Sequence, residues 1–434
     1  MRNADNLFAP DFQTTPYWWD RTPRPHLPET DPPVAADVVI VGSGYTGLHA
    51  AVEAARAGMA TVVIDAEAAG WGCSSRNGGQ ISTSVKPDYA TLSRCYGAAV
   101  AEAILRDGQA SLDFVGDFVG REGIDCDFRV VGRFHGAHLP AKYDALARAL
   151  EAPNPAFETR AFMVPREDLH GELGTDAYFG GCVFPNHASV DPARYHDGLL
   201  RVAREAGAKV IPHCPATSIA RRAGTHDVAT PRGTIRAGRV ILATNGYSGP
   251  LSPWHRCRVI PIGSYMIATE PIAPELMDRL FPKDRVLSDT RRLVYYYRPS
   301  PDRRRVLFGG RVSVSETDPR KSGPKLHAEL SRLFPELRRT RISHSWMGFV
   351  AYTFDTLAHI GETDGILYAM GYCGSGVGMA SYLGAKLGLK AAGFEGACTG
   401  FDGLSFSTRP LYSGNPWFLG PAVMAYRIRD RFGL

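Results

Sequence analysis

The sequence predicts an α/β fold, α+β overall, in which a parallel-sheet domain is interleaved with a domain built on an antiparallel sheet. Three observations predict this. First, an apolar strand, a glycine-rich turn and a helix follow one another from Asp37. Second, further strands and helices of the same kind occur in the second half of the chain. Third, the segments between them contain short strands joined by turn residues. At 434 residues the chain is too long for one typical core, so two or three packed units are expected.

The first element is an N-terminal arm, residues 1–35, rich in proline and aromatic residues. Its Pro16-Tyr17-Trp18-Trp19 run is followed by several further prolines. We expect an extended arm packed over the surface and anchored by its aromatic side chains rather than one that contacts a substrate.

A strand–turn–helix–strand unit follows the arm. Asp37 to Val41 is typical of a strand buried on both faces, and the turn GSGYTG (42–47) leads into a helix from Leu48 to Ala57. A second strand, Thr61 to Ile64, ends at Asp65. This order is that of a Rossmann dinucleotide-binding unit.

Each polar or glycine position in this unit has a physical reason. Gly42 permits the tight turn, Gly44 lets the backbone approach a pyrophosphate, and the helix N-terminus favours the phosphate charge. Gly47 lets the helix and strand pack closely. Asp65 suits a ribose diol, which argues against the 2′-phosphate of NADP.

The next segment decides which dinucleotide is expected. Residues 70–80 (GWGCSSRNGGQ) are dense in glycine and hydroxyl groups and carry one guanidinium, Arg76. A chain that binds only NAD would continue with its next strand and helix, whereas a flavoprotein returns here to wrap the pyrophosphate and the flavin edge. The predicted cofactor is therefore FAD.

Later segments complete the cofactor domain. They are a helix from Asp191 to Glu205, a strand from Lys209 to Pro212, a strand from Arg239 to Ala243, and a strand from Gly365 to Tyr372 whose glycine loop opens a helix reaching about Ala392. This loop, 373–378, lacks the third glycine of a second fingerprint, so we interpret it as a helix N-terminus directed at the flavin.

The predicted domains are therefore discontinuous. The FAD-binding domain takes residues 36–90, 191–257 and 346–434, and the substrate domain takes 91–190 and 258–345. The second insert contains the strand candidates Val259 to Thr269, Leu293 to Arg298 and Val306 to Arg311, the last two joined by a Ser-Pro-Asp turn.

Composition excludes several function classes. The net charge of +5 is mild and the basic clusters are interspersed with acids, so no nucleic-acid partner is expected. The eight cysteines show no CxxC pair or metal-like spacing, which favours a reducing cytoplasm and no metal site. Glycines interrupt the uncharged stretch from Gly365 to Ala385, so no membrane span is expected, and the N-terminus does not have the pattern of a signal peptide.

These motifs give the chain a family resemblance. VVIVGSGYTG, GWGCSSRNGGQ, RVILATNGY, RVIPIGSYMIATEP, YYYRPSPDRRRVLFGGR, TFDTLAHIG and GYCGSGVGM occur in the order found in D-amino-acid-oxidase-type FAD-dependent oxidoreductases. The chain most resembles their γ-glutamylputrescine oxidase branch. The resemblance implies a glutathione-reductase-like FAD-binding domain and oxidation of a C–N bond, with hydride passing to flavin N5. It also implies hydrolysis of the imine to an aldehyde and reoxidation by O2, giving H2O2, or by an electron carrier.

Two positions depart from the sarcosine oxidase pattern. Gly348 stands where that enzyme carries its flavin-linking cysteine, which predicts non-covalent FAD. Gly378 stands where it has the lysine that docks the substrate carboxylate, which favours a longer amine. The alternatives are a pipecolate- or sarcosine-like amino-acid dehydrogenase or oxidase, and a flavin subunit without activity of its own.

The predicted site residues form two groups. Tyr265, Tyr296 and Arg298 are expected in the substrate pocket, where aromatic faces suit an amine cation and Arg298 offers a possible carboxylate dock. The expected FAD contacts are Gly42, Ser43, Gly44, Tyr45, Thr46, Gly47, Asp65, Ala66, Gly72, Cys73, Ser74, Ser75, Arg76, Asn77, Gly78, Gly79, Gln80, Ala216, Ala243, Thr244, Asn245, Gly246, Gly348, Gly371, Tyr372, Gly374, Ser375, Gly376, Val377 and Gly378.

Overall fold

The computed structural model describes residues 7–83, 85–152, 154–156, 159–312 and 316–432. Its strands are β1 (Phe8–Gln13), β2 (Ala35–Val41), β3 (Thr61–Ile64), β4 (Gln80–Ile81), β5 (Arg129–Val130), β6 (Arg133–Gly136), β7 (Phe162–Val164), β8 (Gly181–Phe184), β9 (Ala188–Ser189), β10 (Lys209–Ile211), β11 (Ser218–Arg221), β12 (His226–Thr230), β13 (Gly233–Leu242), β14 (Ile260–Thr269), β15 (Val286–Asp289), β16 (Tyr296–Pro299), β17 (Val306–Gly310), β18 (Ile342–Tyr352), β19 (His359–Thr363) and β20 (Ile366–Met370).

The α-helices among the described residues connect and cover these strands. They are α1 (Tyr17–Arg21), α2 (Tyr45–Arg56), α3 (Tyr89–Tyr96), α4 (Ala98–Arg121), α5 (Pro140–Glu151), α6 (Pro192–Glu205), α7 (Pro253–Arg256), α8 (Pro274–Leu280), α9 (Pro319–Leu333), α10 (Gly376–Ala391) and α11 (Leu419–Phe432). Each of them is too short or too polar to span a bilayer.

One sheet has the Rossmann arrangement. Five strands run parallel in the order β10-β3-β2-β13-β20, and the antiparallel strands β12, β11 and β19 extend it. Strand β2 is buried from Val38 to Val41, as its continuous apolar run predicts, and helix α2 packs against it. This sheet gives the chain the predicted α/β class.

A second sheet of nine strands has the order β1-β18-β14-β17-β16-β15-β6-β8-β7. It is mostly antiparallel, with parallel pairs at β1–β18 and β15–β6. One face packs its apolar side chains, including Phe134, Tyr265 and Phe308, against helices α8 and α9. The opposite face is turned towards loop 70–80, because Tyr296 of β16 packs against Gly78. A third, small sheet has the strand order β4-β9-β5.

The N-terminal arm is part of the folded core and not only an extended segment on the surface. Strand β1 joins the edge of the nine-stranded sheet, pairing Phe8 with Ile342. Helix α1 follows, and the Trp18 side chain is fully buried. Strand β18 also crosses the predicted domain boundary between residues 345 and 346. Domain boundaries placed from the sequence stay a prediction.

Candidate functional site

The glycine-rich turn is the first part of the site, and its geometry depends on two glycines. Gly42 has a φ of +107°, and a side chain there would come within 2.9 Å of the Ala243 carbonyl oxygen. A side chain at Gly47 would come within 1.9 Å of the Gly42 carbonyl oxygen. Strand β2, the turn and helix α2 therefore approach so closely that only glycine fits at both positions.

Asp65 lies at the end of β3, beside this turn. Its Oδ2 accepts hydrogen bonds from the Ser43 N–H at 2.7 Å and from the Ser43 hydroxyl at 2.6 Å, and its Oδ1 accepts from the Glu67 N–H at 3.0 Å. The carboxylate therefore braces the turn directly. Ribose binding by Asp65 stays a prediction.

Helix α6 holds the glycine-rich turn through a histidine, His196, that the sequence analysis did not predict. The Nε2–H of His196 donates to the Ser43 carbonyl at 2.8 Å, and an Arg24 N–H donates to His196 Nδ1 at 2.7 Å. Burial, and then the positive charge of Arg24, lower the pKa of His196 to about 3, so the ring is neutral. No local pattern indicates this residue, because both partners are more than 150 positions away in the chain.

Loop 70–80 folds back over the start of α2. The Ser74 hydroxyl accepts from the Tyr45 N–H at 2.9 Å, at the helix end where backbone N–H groups have no intrahelical partners. Asn77 holds the loop in shape, since its side-chain amide donates to the Cys73 and Ser74 carbonyls at 3.1 Å. The loop and the fingerprint turn are thus one structural unit, as the flavoprotein interpretation requires.

The N-terminal arm fixes this loop from outside. The Trp18 Nε1–H donates to the Asn77 carbonyl and the Trp19 Nε1–H donates to the Ser75 hydroxyl, each at 2.8 Å. The Arg76 guanidinium lies 4.7 Å from the Trp19 ring and 4.5 Å from the Trp71 ring. Aromatic anchoring of the arm was expected, but its contact with the loop was not.

Two further loops meet the same region. The Asn245 side-chain oxygen accepts from the Gly371 N–H at 2.9 Å, and the Thr46 hydroxyl lies 2.6 Å from the Tyr372 hydroxyl. Gly376 opens helix α10, and among the described residues outside its own helix turn no atom lies within 4 Å of the place where its side chain would be. The structure thus assembles the turn, loop 70–80, loop 243–246 and loop 371–378 around two helix N-termini, which fits an anionic dinucleotide.

Three of the predicted FAD contacts, Ala66, Ala216 and Gln80, lie beside these loops. Ala66 follows Asp65, and Ala216 lies two residues beyond Cys214, whose N–H donates to the Asp65 carbonyl at 2.6 Å. Gln80 points elsewhere, because its side-chain amide donates to the Leu287 and Tyr297 carbonyls at 3.2 Å. Contact of these residues with FAD stays a prediction.

The three predicted pocket residues do not share one surface. Tyr296 faces loop 70–80, with its hydroxyl 2.8 Å from that of Ser264. Tyr265 lies on the opposite face of the nine-stranded sheet, fully buried, and its hydroxyl donates to Glu316 at 2.7 Å. This corrects the expectation of a shared pocket, and the reason is the alternation of side chains along β14.

Arg298 is also turned away from a docking role. It is 2% exposed, and its Nη1 donates to the carbonyls of Gly79 and Val190 at 2.9 Å each. Burial lowers the pKa of Arg298 to about 10. Its hydrogen bonds fix loop 70–80 to the strand, which supports a structural role instead of the predicted carboxylate dock.

Gly348 and Cys73 face each other across the site. A side chain at Gly348 would come within 2.7 Å of the Cys73 sulfur, and the thiol donates to the Phe349 carbonyl at 2.8 Å. Burial raises the pKa of Cys73 to about 11, so the thiol stays protonated at neutral pH. A buried, protonated thiol of this kind is a poor nucleophile.

Gly378 is closed off by packing. A side chain there would lie 3.0 Å from the Ser111 carbonyl oxygen, 3.2 Å from the Ser111 hydroxyl and 3.4 Å from Ile81. Because both contacts with Ser111 are tighter than ordinary van der Waals packing, a side chain at position 378 would require α4 to move. Position 378 therefore faces helix α4.

Comparison with known proteins agrees with this assembly. The family described as FAD dependent oxidoreductase (DAO) matches residues 37–388. A probable oxidoreductase OrdL of Rhizobium meliloti (strain 1021) is 32% identical, covering 96% of this chain and 97% of that protein. The gamma-glutamylputrescine oxidoreductase of Escherichia coli (strain K12) is 29% identical, covering 92% and 94%.

Solved structures show the same fold. Glycine oxidase from Geobacillus kaustophilus superposes with a TM-score of 0.70 at 19% identity, covering 87% of this chain and 99% of that one. L-proline dehydrogenase from P. horikoshii superposes with a TM-score of 0.68 at 18% identity, covering 82% and 93%.

Proposed function

We propose that this chain, which belongs to the DAO family of FAD-dependent oxidoreductases, oxidises a C–N bond of an extended amine of the γ-glutamylputrescine type. Its cofactor is FAD, and its substrates are amines or amino acids. The relative named for γ-glutamylputrescine covers nearly the whole chain, although at 29% identity it leaves the substrate to be tested.

The observation that carries the choice of an extended amine is the packing at Gly378. Because this position faces Ser111 and Ile81, it offers neither a charge nor space for a side chain that would dock a small zwitterion. On the face turned towards loop 70–80, β16 carries Tyr296, an aromatic ring that suits an amine cation. A substrate held by shape and aromatic contact fits this surface better than one held by a salt bridge.

We assign the cofactor contacts to the loops described above. The N–H groups at the starts of α2 and α10 would hold negatively charged oxygens, Asp65 would accept from the ribose, and loop 70–80 would border the flavin. FAD, when bound, supplies the acceptor for the hydride of the C–H bond next to nitrogen. We further propose that binding is non-covalent, since Gly348 has no side chain and Cys73 is a protonated thiol.

Tyr296 orients the amine and does not take its proton. Burial raises the pKa of Tyr296 to about 12, so its phenol is protonated at neutral pH. The phenol forms a hydrogen bond with the Ser264 hydroxyl. We therefore propose that the substrate reacts as the free amine. The imine product is hydrolysed to an aldehyde, and the electrons pass to O2, giving H2O2, or to another acceptor.

The test is anaerobic stopped-flow reduction of the flavin with two substrate sets. We expect γ-glutamylputrescine or another extended primary amine to reduce it faster than sarcosine, glycine, D-alanine or pipecolate. Fastest reduction by an amino acid would replace the proposal with an amino-acid oxidase or dehydrogenase, and no reduction by any amine would favour a flavin subunit without activity of its own. Peroxide release in air separates an oxidase from a dehydrogenase.

A further inference from the structure

Exposed apolar side chains are concentrated in one segment, residues 411–428. Among the described residues, ten bulky apolar or aromatic side chains are exposed, and five of them lie in this segment. Leu411 is 89% exposed, Trp417 65%, Met424 51% and Ile428 52%. The segment is only 18 of the chain's 434 positions. This concentration therefore differs from the single apolar side chains that are scattered over any protein surface.

Helix α11 arranges these side chains in a row. Met424 and Ile428 are four positions apart and project from the same face, and Pro421, three positions before Met424, is also exposed. Trp417 lies in the turn that leads into the helix, seven positions or about two helical turns before Met424. We call these four residues the α11 stripe. Of the described side chains of α11, Val423 alone is buried.

Polar contacts hold α11 on the rest of the molecule. The Asp430 carboxylate accepts from the Arg292 N–H at 2.7 Å and from the Leu293 N–H at 3.1 Å. The Arg427 guanidinium donates to the Val312 carbonyl at 2.6 Å. The helix is therefore attached along one side by hydrogen bonds, while the stripe on its outer side is left without apolar cover from the described residues.

The segment that carries the stripe is basic. Residues 403–434 contain four arginines and one aspartate and no other charged side chain, a net charge of +3 (4 minus 1), compared with +5 for the whole chain. The aspartate, Asp430, already accepts hydrogen bonds from two backbone N–H groups. Arg427 and Arg429 project about 100° to either side of Ile428, so positive charge borders the stripe on both edges.

The positive charge decides which occupant suits the stripe. A second copy of the chain, related by a twofold axis, would bring the same arginines together across the contact, and like charges oppose such an interface. An anionic surface would instead be attracted. A single exposed row of apolar side chains bordered by arginines is the pattern of a helix that lies in a membrane interface, where tryptophan is also enriched.

We propose that α11 binds the surface of a bilayer that contains anionic lipids. The α11 stripe enters the headgroup region, and the arginines at its edges contact lipid phosphates. The helix has 14 residues, fewer than the roughly 20 that cross a bilayer, so it lies parallel to the membrane. This inference goes beyond the proposed function, because it concerns where the enzyme works and does not depend on its substrate.

Co-sedimentation of the FAD-loaded full chain with vesicles tests the proposal. One set of vesicles is phosphatidylcholine alone, and the other contains equal parts of phosphatidylcholine and phosphatidylglycerol. We expect binding to the mixed vesicles to be at least about 10-fold stronger, because each arginine near an anionic surface contributes about 5-fold. Raising the NaCl concentration from about 0.1 M to about 0.5 M should weaken this binding, because salt screens the charges.

A double serine variant tests the apolar contribution. Met424→Ser/Ile428→Ser removes the centre of the stripe and should weaken binding to the mixed vesicles about 10- to 100-fold, because the exposed half of each side chain no longer leaves water. Phe162→Ser/Phe394→Ser is the matched control. It removes two side chains that are 47% and 56% exposed elsewhere on the molecule, and it should bind like the wild type.

A single charge variant tests the electrostatic contribution without changing the stripe. Arg429→Gln should weaken binding to the mixed vesicles about 5-fold and leave binding to phosphatidylcholine unchanged. Arg338→Gln, the same substitution at an exposed position in another segment, is its control and should have no effect.

Absence of binding to the mixed vesicles overturns the proposal. Binding that Met424→Ser/Ile428→Ser leaves unchanged overturns it too, because adsorption by net charge alone does not need the stripe. Gel filtration examines the second copy: a wild-type dimer that this variant converts to a monomer would assign the stripe to self-association. Binding to soluble polyglutamate without binding to either vesicle would assign it to an acidic protein.

Discussion

Replacing Gly47 with alanine perturbs the closest contact in the fingerprint turn. The added methyl group would lie 1.9 Å from the Gly42 carbonyl oxygen, 3.1 Å from its carbonyl carbon and 3.2 Å from an Ile40 methyl group. The first two are backbone atoms, so helix α2 must move away from β2. Overpacking costs up to about 3 kcal/mol, and the better helix propensity of alanine returns about 1 kcal/mol. We expect a net loss of about 2 kcal/mol in the free energy of unfolding.

The same movement displaces the N–H groups at the start of α2, so FAD affinity should fall by about tenfold, the equivalent of about 1.4 kcal/mol. Urea unfolding of the apoprotein and fluorescence titration with FAD measure the two effects. Gly120→Ala is the control, because position 120 lies in helix α4 and no described residue from another part of the chain comes within 4 Å of the new methyl group. This substitution should stabilise the protein by up to about 1 kcal/mol. If Gly47→Ala and Gly120→Ala have the same stability and FAD affinity, the close-contact argument is refuted.

Four further predictions follow from individual residues. Asp65→Ala should weaken FAD binding by about 1.5–3 kcal/mol while the apoprotein still folds; full flavin content after purification would exclude Asp65 as a ribose ligand. Acid precipitation should release yellow, fluorescent flavin into the supernatant, because Gly348 offers no atom for a covalent link; flavin in the pellet would contradict this. Tyr296→Ala should slow flavin reduction by the best amine about 100-fold, since the reacting carbon loses its orientation, and stopped flow measures the rate. Burial lowers the pKa of His49 from 6.5 to about 3, so its contribution to stability is complete above pH 6.5 and is lost as the pH falls towards 3. Between pH 7 and pH 5 the wild-type protein should therefore lose about 2 kcal/mol more of its free energy of unfolding than His49→Phe loses. Urea unfolding at both pH values measures the two losses, and equal losses would count against this assignment.

Local patterns predicted the Rossmann sheet well. The helix cap at Asp191 is present as expected, with its carboxylate accepting from the Ala193 and Arg194 N–H groups. Strand β20 of this sheet lies within the predicted strand at 365–372. In the nine-stranded sheet, β14 begins one residue after the predicted start at Val259. These elements are defined by continuous apolar runs and by caps, both of which are visible within a short window of sequence.

What the sequence analysis missed depends on distant contacts. Strand β16 begins at Tyr296 rather than Leu293, because Asp289 accepts from the Tyr295 and Arg291 N–H groups and holds that segment in a turn. The sequence does not indicate that Tyr265 and Tyr296 lie on opposite faces of the sheet, because a strand buried on both sides shows no polar alternation.

Strand β1 has a consequence for how the chain is made. It pairs Phe8 with Ile342, so its partner is synthesised 334 residues later (342 minus 8). Strand pairings this distant in sequence form slowly, because the entropy of closing a long loop is lost before the stabilising contacts are made. Until then, the nascent protein keeps an early strand with unsatisfied backbone groups, which is a template for pairing with other chains. The same delay applies to loop 70–80, which receives its Trp346 hydrogen bond at Arg76 only after most of the protein has emerged.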